Sequence, residues 1–97
     1  MVSERLLLII EDDEAFARTL ARSFRRRDYD VLIASTRDDA VELLKQHSPG
    51  YAVVDLKLSG SSSGLECVQL LHQHDPKMLI VVLTGFASIN TAVEAVK

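Results

Sequence analysis

The stretch YAVVDLKLSGSSSGLE, residues 51–66, places the carboxylate of Asp55 between an apolar run and a loop of serines and glycines. Residues 51–54 predict a strand, because a short continuous apolar run that ends at turn residues is typical of a strand with both faces covered. An ionised carboxylate that is buried there destabilises the fold unless it is paired or bound to a cation. Asp55 is therefore either the harmless end of a strand or part of a reactive site.

Apolar strands and amphipathic helices alternate along the rest of the chain, with strands predicted at 6–10, 30–34, 51–54 and 78–83. A helix is predicted after each strand. The first carries an apolar stripe from Phe16 to Phe24, and the second covers 36–46 behind a capping box of Thr36 and Asp39. The third begins at a capping box of Ser63 and Glu66, and the fourth carries an apolar stripe from Ile89 to Val96.

This alternation predicts an α/β fold in which an open parallel sheet is covered by helices on both faces. In such sheets, ligands bind beyond the carboxyl ends of the strands, and in the flavodoxin-like strand order 2-1-3-4 the site lies between the first and third strands. The first strand ends in Glu11, Asp12 and Asp13, and the third ends in Asp55. We therefore expect these carboxylates to face one crevice.

Clustered carboxylates raise one another's pKa unless a divalent cation lies among them. Mg²⁺ is the cation that suits a small set of oxygen ligands, and the sequence predicts it here. Thr84 and Gly85 follow the fourth strand, where a hydroxyl could hydrogen-bond a phosphoryl oxygen and a glycine leaves the approach open. This combination favours an aspartyl phosphate on Asp55, because aspartate is a nucleophile for phosphoryl transfer and a metal neutralises the developing charge.

Composition excludes several other classes of protein. The 97 residues suffice for one globular domain, 1–97, and the single cysteine, Cys67, excludes an internal disulfide framework. A net charge of −3 gives no electrostatic reason to expect that this chain itself binds nucleic acid. The arginines at 25–27 are interpreted as a solvated cap at a helix C-terminus. The apolar run near the start is too short to span a membrane, so no membrane contact and a cytoplasmic location are predicted.

Three motifs at strand ends resemble the receiver domains of two-component response regulators: LLIIEDDE at 7–14, VVDLKLSG at 53–60 and VVLTG at 81–85. More narrowly, DLKL at 55–58 and LTGFASINTAVEAVK at 83–97 resemble the redox-responsive global regulators, in which a small helix-turn-helix domain follows the receiver. The resemblance implies a phosphoprotein that takes a phosphoryl group from a sensor histidine kinase and relays the signal to an output domain that regulates transcription. DNA would be bound by that output domain, which is absent from this chain.

The resemblance also assigns roles to individual residues. It makes Asp55 the phosphoacceptor and a metal ligand, Asp12 a direct metal ligand and Glu11 a ligand through water. It makes the backbone carbonyl of Lys57 a further metal ligand. Thr84 would supply the switch hydroxyl, with Gly85 beside it. Asp13 is an additional candidate for the site. For Asp13 the alternative is an ordinary helix N-cap.

The sequence departs from the family pattern after the acceptor and at its C-terminus. Ser59 stands where a proline is usual, and Gly64 lies one position later than the usual glycine. The chain stops at Lys97 inside the predicted fourth helix, so we expect a fragment that lacks the fifth βα unit with its phosphoryl-binding lysine. An exposed fourth strand would then favour self-association, as a dimer or by exchange of the C-terminal segment.

Two other functions compete with the phosphoacceptor. A phosphohydrolase that forms an aspartyl phosphate would need a second carboxylate two residues after the nucleophile, and that position holds Lys57. A pseudo-receiver, which is a protein-interaction module that is never phosphorylated, would have the same fold, and it stays open as the alternative. The receiver is predicted to be a signalling phosphoacceptor and not an enzyme with its own substrate.

Overall fold

The computed structural model describes residues 5–56, 64–83 and 89–91, the last three by their backbone alone. Strands and helices alternate in it. The elements are β1 (Leu6–Ile10), α1 (Glu14–Arg25), β2 (Asp30–Ala34), α2 (Arg37–Leu44), β3 (Tyr51–Asp55), α3 (Gly64–His74), β4 (Leu79–Leu83) and β5 (Ile89–Thr91).

The sheet has the strand order β2-β1-β3-β4-β5, and its first four strands are parallel. The predicted order 2-1-3-4 and the flavodoxin-like class are confirmed. Ile10 lies opposite Ala34 on one side and Val54 on the other, and Asp55 lies opposite Leu83. The carboxyl ends of β1, β3 and β4 therefore meet at one edge of the sheet.

Residues 89–91 contradict the predicted fourth helix. They form β5, which pairs antiparallel with Val81–Leu83. An exposed edge strand carries unpaired backbone groups that a following segment can satisfy, and β-branched residues such as Ile89 and Thr91 favour a strand. The edge of β4 is consequently paired over Val81–Leu83, so the expectation of an edge open along its whole length is wrong. The rest of that predicted helix, 92–97, lies outside the described residues.

Alternating side chains of the strands supply two separate cores. On one face of the sheet, Leu8 and Ile10 pack with apolar residues of α2 and α3 such as Leu44 and Leu71. On the other face, Leu7 and Ile9 pack with Ala17 and Ala21 of α1, among others. Residues 7–10 of β1 are all buried, as expected for the central strand of a sheet that is covered on both sides.

Local signals set the helix ends. Thr36 Oγ1 accepts a hydrogen bond from Asp39 N at 3.1 Å, while Asp39 Oδ2 accepts one from Ser35 N at 3.2 Å. The capping box is thus confirmed, although Asp39 reaches one residue further back than the motif requires. Helix α2 ends two residues earlier than predicted, because its last amides bond three residues back, as Lys45 N does to Glu42 O at 3.3 Å. Ser63, predicted to cap α3, lies outside the described residues.

The arginines at 25–27 lie at the C-terminus of α1, as predicted, and Arg26 is its C-cap. Helix α1 ends at Arg25, and Arg27 Nη1 donates to the Ser23 carbonyl at 3.2 Å.

Among the helices that the structure describes, none has the length and apolar character that a membrane span requires.

Candidate functional site

Three carboxylates converge at the carboxyl edge of the sheet. Glu11 and Asp12 directly follow β1, and Asp55 is the last residue of β3. Because β1 and β3 are adjacent and Ile10 is in register with Val54, the residues that follow these two lie side by side. One oxygen from each carboxylate lies within 4.8 Å of the other two.

Glu11 is the buried member of this cluster. Its side chain is only 3% exposed, and its backbone N donates to Ala34 O at 3.0 Å, which fixes the chain at the end of β1. Burial raises the pKa of Glu11 from 4.5 to about 8, with further contributions from a hydrogen bond to Asp55 and from the charges of Asp55, Asp12 and Asp13. Glu11 therefore holds a proton at neutral pH while no cation is bound.

The same cluster fits a divalent cation. Glu11 Oε2 is buried and has no hydrogen-bond partner among the residues that the structure describes. Such an atom needs an explanation in a native structure, and an ion that binds it is one of the recognised explanations. The three carboxylates that the described residues bring together favour a hard cation such as Mg²⁺ or Ca²⁺ over metals that prefer nitrogen or sulfur.

Asp13, the additional candidate, serves α1. Its Oδ1 accepts a hydrogen bond from Phe16 N at 3.1 Å, which makes Asp13 the N-cap of the helix. The side chain is exposed, and its charge still contributes to the raised pKa of Glu11. The geometry therefore supports the N-cap alternative for this residue.

Gly64 is a site residue whose importance the sequence did not reveal. It is the first residue of α3, and a Cβ at this position would overlap with Asp55 O and Leu56 Cα and lie 2.9 Å from Asp55 C. Its backbone N also donates to Leu56 O at 3.4 Å. The start of helix α3 thus packs directly against the backbone of Asp55. The available signal was a glycine at the start of a helix, which favours close backbone approach.

The end of β4 completes the described part of the site. Leu56 N donates to Leu83 O at 3.0 Å, which brings the last residue of β4 beside the residue after Asp55. Three of the predicted site residues, Lys57, Thr84 and Gly85, lie outside the described residues.

Comparison with known proteins identifies the family. The response regulator receiver domain family matches residues 7–97. The photosynthetic apparatus regulatory protein RegA of Rhodobacter capsulatus is 43% identical over 95 residues, which are 98% of this chain and 51% of that protein. The acid tolerance regulatory protein ActR of Sinorhizobium medicae is 39% identical over 97% of this chain and 48% of its own length.

A solved structure shows the same fold. It is a response regulator from Burkholderia pseudomallei, determined with a phosphorylated aspartic acid, a calcium ion and citrate, and it superposes with a TM-score of 0.81 at 44% identity. The match covers 96% of this chain and 54% of that one, so the chain spans about half the length of the relatives it matches. The resemblance predicted from the three strand-end motifs is confirmed, and the chain belongs to the response regulator receiver domain family.

Proposed function

We propose that Asp55 is the residue of this receiver domain that accepts a phosphoryl group. The observation that carries the proposal is the convergence of Glu11, Asp12 and Asp55, whose oxygens lie within 4.8 Å of one another at the carboxyl edge of a parallel sheet. Asp55 is half-buried there, while Glu11 is fully buried. A carboxylate oxygen that can reach solvent and a phosphodonor is the better nucleophile of the two.

Glu11 and Asp55 are assigned different roles because their environments differ. A carboxyl whose pKa is raised to about 8 is a poor nucleophile at neutral pH because it is protonated. Asp55 would attack phosphorus, so that the new bond joins its carboxylate oxygen to phosphorus while the bond to the donor breaks. Glu11 and Asp12 would hold the metal, for which Mg²⁺ is proposed, and the bound cation would neutralise charge on the phosphoryl oxygens.

The Burkholderia pseudomallei relative supports both parts of the proposal, because its structure contains a phosphorylated aspartic acid and a divalent cation. The finer roles remain proposals for this chain: the Lys57 carbonyl as a metal ligand, and Thr84 with Gly85 at the phosphoryl group. All three are implied by the family resemblance.

The proposed partners are those of a response regulator. A sensor histidine kinase would donate the phosphoryl group in the cytoplasm, and an output domain would carry the signal to DNA. Regulatory names among the relatives support a role in regulation. We also propose that the chain self-associates through β4. In this role the receiver would act as a signalling phosphoacceptor and not as an enzyme with its own substrate.

The alternative function is a pseudo-receiver that binds partners without being phosphorylated. Incubation with acetyl phosphate and Mg²⁺, followed by intact mass spectrometry, separates the two. We expect the wild-type protein to gain the mass of one phosphoryl group and the Asp55→Asn variant to gain none. Asp38→Asn, which removes an exposed carboxylate from α2, is the matched control and should be phosphorylated like the wild type.

No mass gain in the wild-type protein would favour the pseudo-receiver. An undiminished gain in Asp55→Asn would show that a different residue accepts the phosphoryl group.

A further inference from the structure

Four arginines form a stripe on the exposed face of α1 and its C-cap. We call Arg18, Arg22, Arg25 and Arg26 the arginine stripe. Their spacings of three and four residues place them within roughly a third of a turn of one another, and over eight residues they extend about 12 Å along the helix axis. All four side chains are exposed, and the stripe runs beside the buried face of the helix that includes Ala17 and Ala21.

Only one of these four arginines has an ion-pair partner within the described part of the chain. Arg18 lies 3.8 Å from Glu14, in a pair whose two side chains are largely exposed. The guanidinium groups of the other three arginines form no ion pair or hydrogen bond with any residue that the structure describes. Like charges three and four residues apart destabilise a helix, and the helix dipole offsets this only near the C-terminus. An external anion would remove the remaining repulsion.

The chemistry and the spacing of the arginines indicate which kind of anion would bind them. A guanidinium group binds a carboxylate through two parallel hydrogen bonds, which an ammonium group cannot do. Arg18, Arg22 and Arg26 recur every four residues, or about 6 Å, which is the repeat of carboxylates at i, i+4 and i+8 on another helix. Acidic side chains lie at both ends of the stripe, with Glu14 before it and Asp28 after it. A nucleic acid duplex would extend past the stripe and bring its phosphates against these carboxylates, whereas a short acidic helix can place uncharged residues there.

A groove adjoins the C-terminal end of the stripe. It has a volume of about 550 Å³, and Arg25 lines it together with the apolar side chains of Leu6, Val31 and Leu32, the ring of Tyr29 and the carboxylates of Asp28 and Asp30. The two carboxylates favour an uncharged side chain of the partner at this end of the stripe. A partner helix along α1 could place one apolar side chain in this groove while its carboxylates meet the arginines. Apolar burial would add to affinity, and the groove would fix the register of the helix.

We propose that the arginine stripe and this groove bind an acidic helix of a partner protein, with carboxylates at i, i+4 and i+8 and a leucine at the end that reaches the groove. The proposal does not depend on Asp55 or on phosphorylation. It would survive if Asp55 proved not to be the phosphoacceptor, and its failure would leave that assignment untouched.

The test uses a fluorescent helical peptide with three glutamates at i, i+4 and i+8 and a terminal leucine, titrated with the whole chain at low ionic strength. A peptide of identical composition with its glutamates on different faces is the first control. We expect the patterned peptide to bind, and Arg22→Glu with Arg25→Glu to weaken its binding by at least about tenfold. Lys77→Glu, which reverses an exposed charge outside α1, should leave binding unchanged. Far-UV circular dichroism of each variant checks that the fold is intact.

A charge-swapped peptide, with lysines in place of the glutamates, gives a readout that misfolding could not produce. It should bind the doubly substituted variant better than it binds the wild type. Equal binding of the patterned and rearranged peptides, or an equal loss in Lys77→Glu, would overturn the proposal in favour of non-specific attraction. A short DNA duplex that binds the wild type more tightly than the peptide, and is lost with the same arginines, would overturn it in favour of nucleic acid.

Discussion

Among the residues that the structure describes, Glu11 is the one at which burial and charge conflict most strongly. Its pKa rises from 4.5 to about 8 in the folded state, first because it is buried and then because three other carboxylates lie nearby. The folded state therefore binds a proton that the unfolded state has released between these two pH values. Stability without metal should fall as pH rises through this window and become constant above it.

Glu11→Gln should remove this pH dependence, because an amide has the same shape as the carboxyl and does not ionise. We expect the variant to be more stable than the wild type by about 1–3 kcal/mol at pH 8 and to differ little at pH 5. Urea denaturation in the presence of EDTA measures both values. Glu42→Gln, an exposed position on α2, is the control and should change stability little at either pH. The same gain at pH 5 and pH 8 would contradict ionisation as the cause.

Gly64 shows how a single missing side chain positions the site. Because a Cβ would overlap with the backbone of Asp55 and Leu56, Gly64→Ala should push α3 away from the end of β3. We expect a loss of roughly 1–3 kcal/mol in stability, as for other overpacked positions, and slower phosphorylation of Asp55. The matched control is Gly50→Ala, since a Cβ at Gly50 would have no atom within 4 Å. Equal effects of the two substitutions on stability and phosphorylation would refute this role for Gly64.

At the scale of elements, Arg5 connects the start of β1 to the turn between α1 and β2. Its Nη2 donates to Arg27 O at 2.9 Å and its Nε to Asp28 O at 3.2 Å, while its guanidinium carbon lies 4.0 Å above the Tyr29 ring. Asp28 has a φ of 67°, a left-handed conformation that is uncommon outside glycine. Arg5 thus satisfies two carbonyls in a turn whose backbone is itself unfavourable.

Arg5→Ala should therefore lower stability by about 1–2 kcal/mol, from two lost hydrogen bonds and a lost cation–π contact. Arg5→Lys should recover little of this, because one ammonium group cannot stack on Tyr29 and reach both carbonyls in the same geometry. Chemical denaturation of both variants measures the effect. Arg18→Ala is the control, since its ion pair is exposed and should contribute little. Full rescue by lysine would show that charge alone matters.

At the scale of the whole molecule, the two faces of β4 are covered unequally. Ile80 and Val82 point into the core beneath α3 and are 1% and 6% exposed. On the other face, Leu79 is 51% exposed, and Val81 and Leu83 are only half-buried. Partly exposed apolar side chains in a row mark a surface that gains free energy when another surface covers it.

We expect the chain to self-associate through this face, with a sedimentation coefficient that increases with protein concentration. Leu79→Lys should shift the chain to monomer because it places a charge in the contact. Leu65→Lys is a matched control, since Leu65 is 50% exposed but lies on α3. A wild-type protein that stays monomeric at high concentration would contradict the prediction.

The sequence by itself determined the alternation of strands and helices and the edge at which Glu11, Asp12 and Asp55 meet. These features depend on local signals: the period of apolar residues, the capping box at Thr36 and the acidic residue at each strand end. Parallel strands bring their carboxyl ends to one edge, so strand ends alone located the candidate site.

Only the tertiary structure decided how that site is built. The burial of Glu11, its raised pKa and its unsatisfied oxygen depend on atoms from Asp55 and on neighbouring strands that are distant in sequence. The contact of Gly64 with the Asp55 backbone depends on how α3 packs after a loop. The strand at 89–91, in place of a predicted helix, depends on the open edge of β4. In each case the local sequence does not distinguish two arrangements, such as an ionised and a protonated Glu11, or a helix and a strand at 89–91. The residues that surround the position in the fold decide which arrangement has the lower free energy.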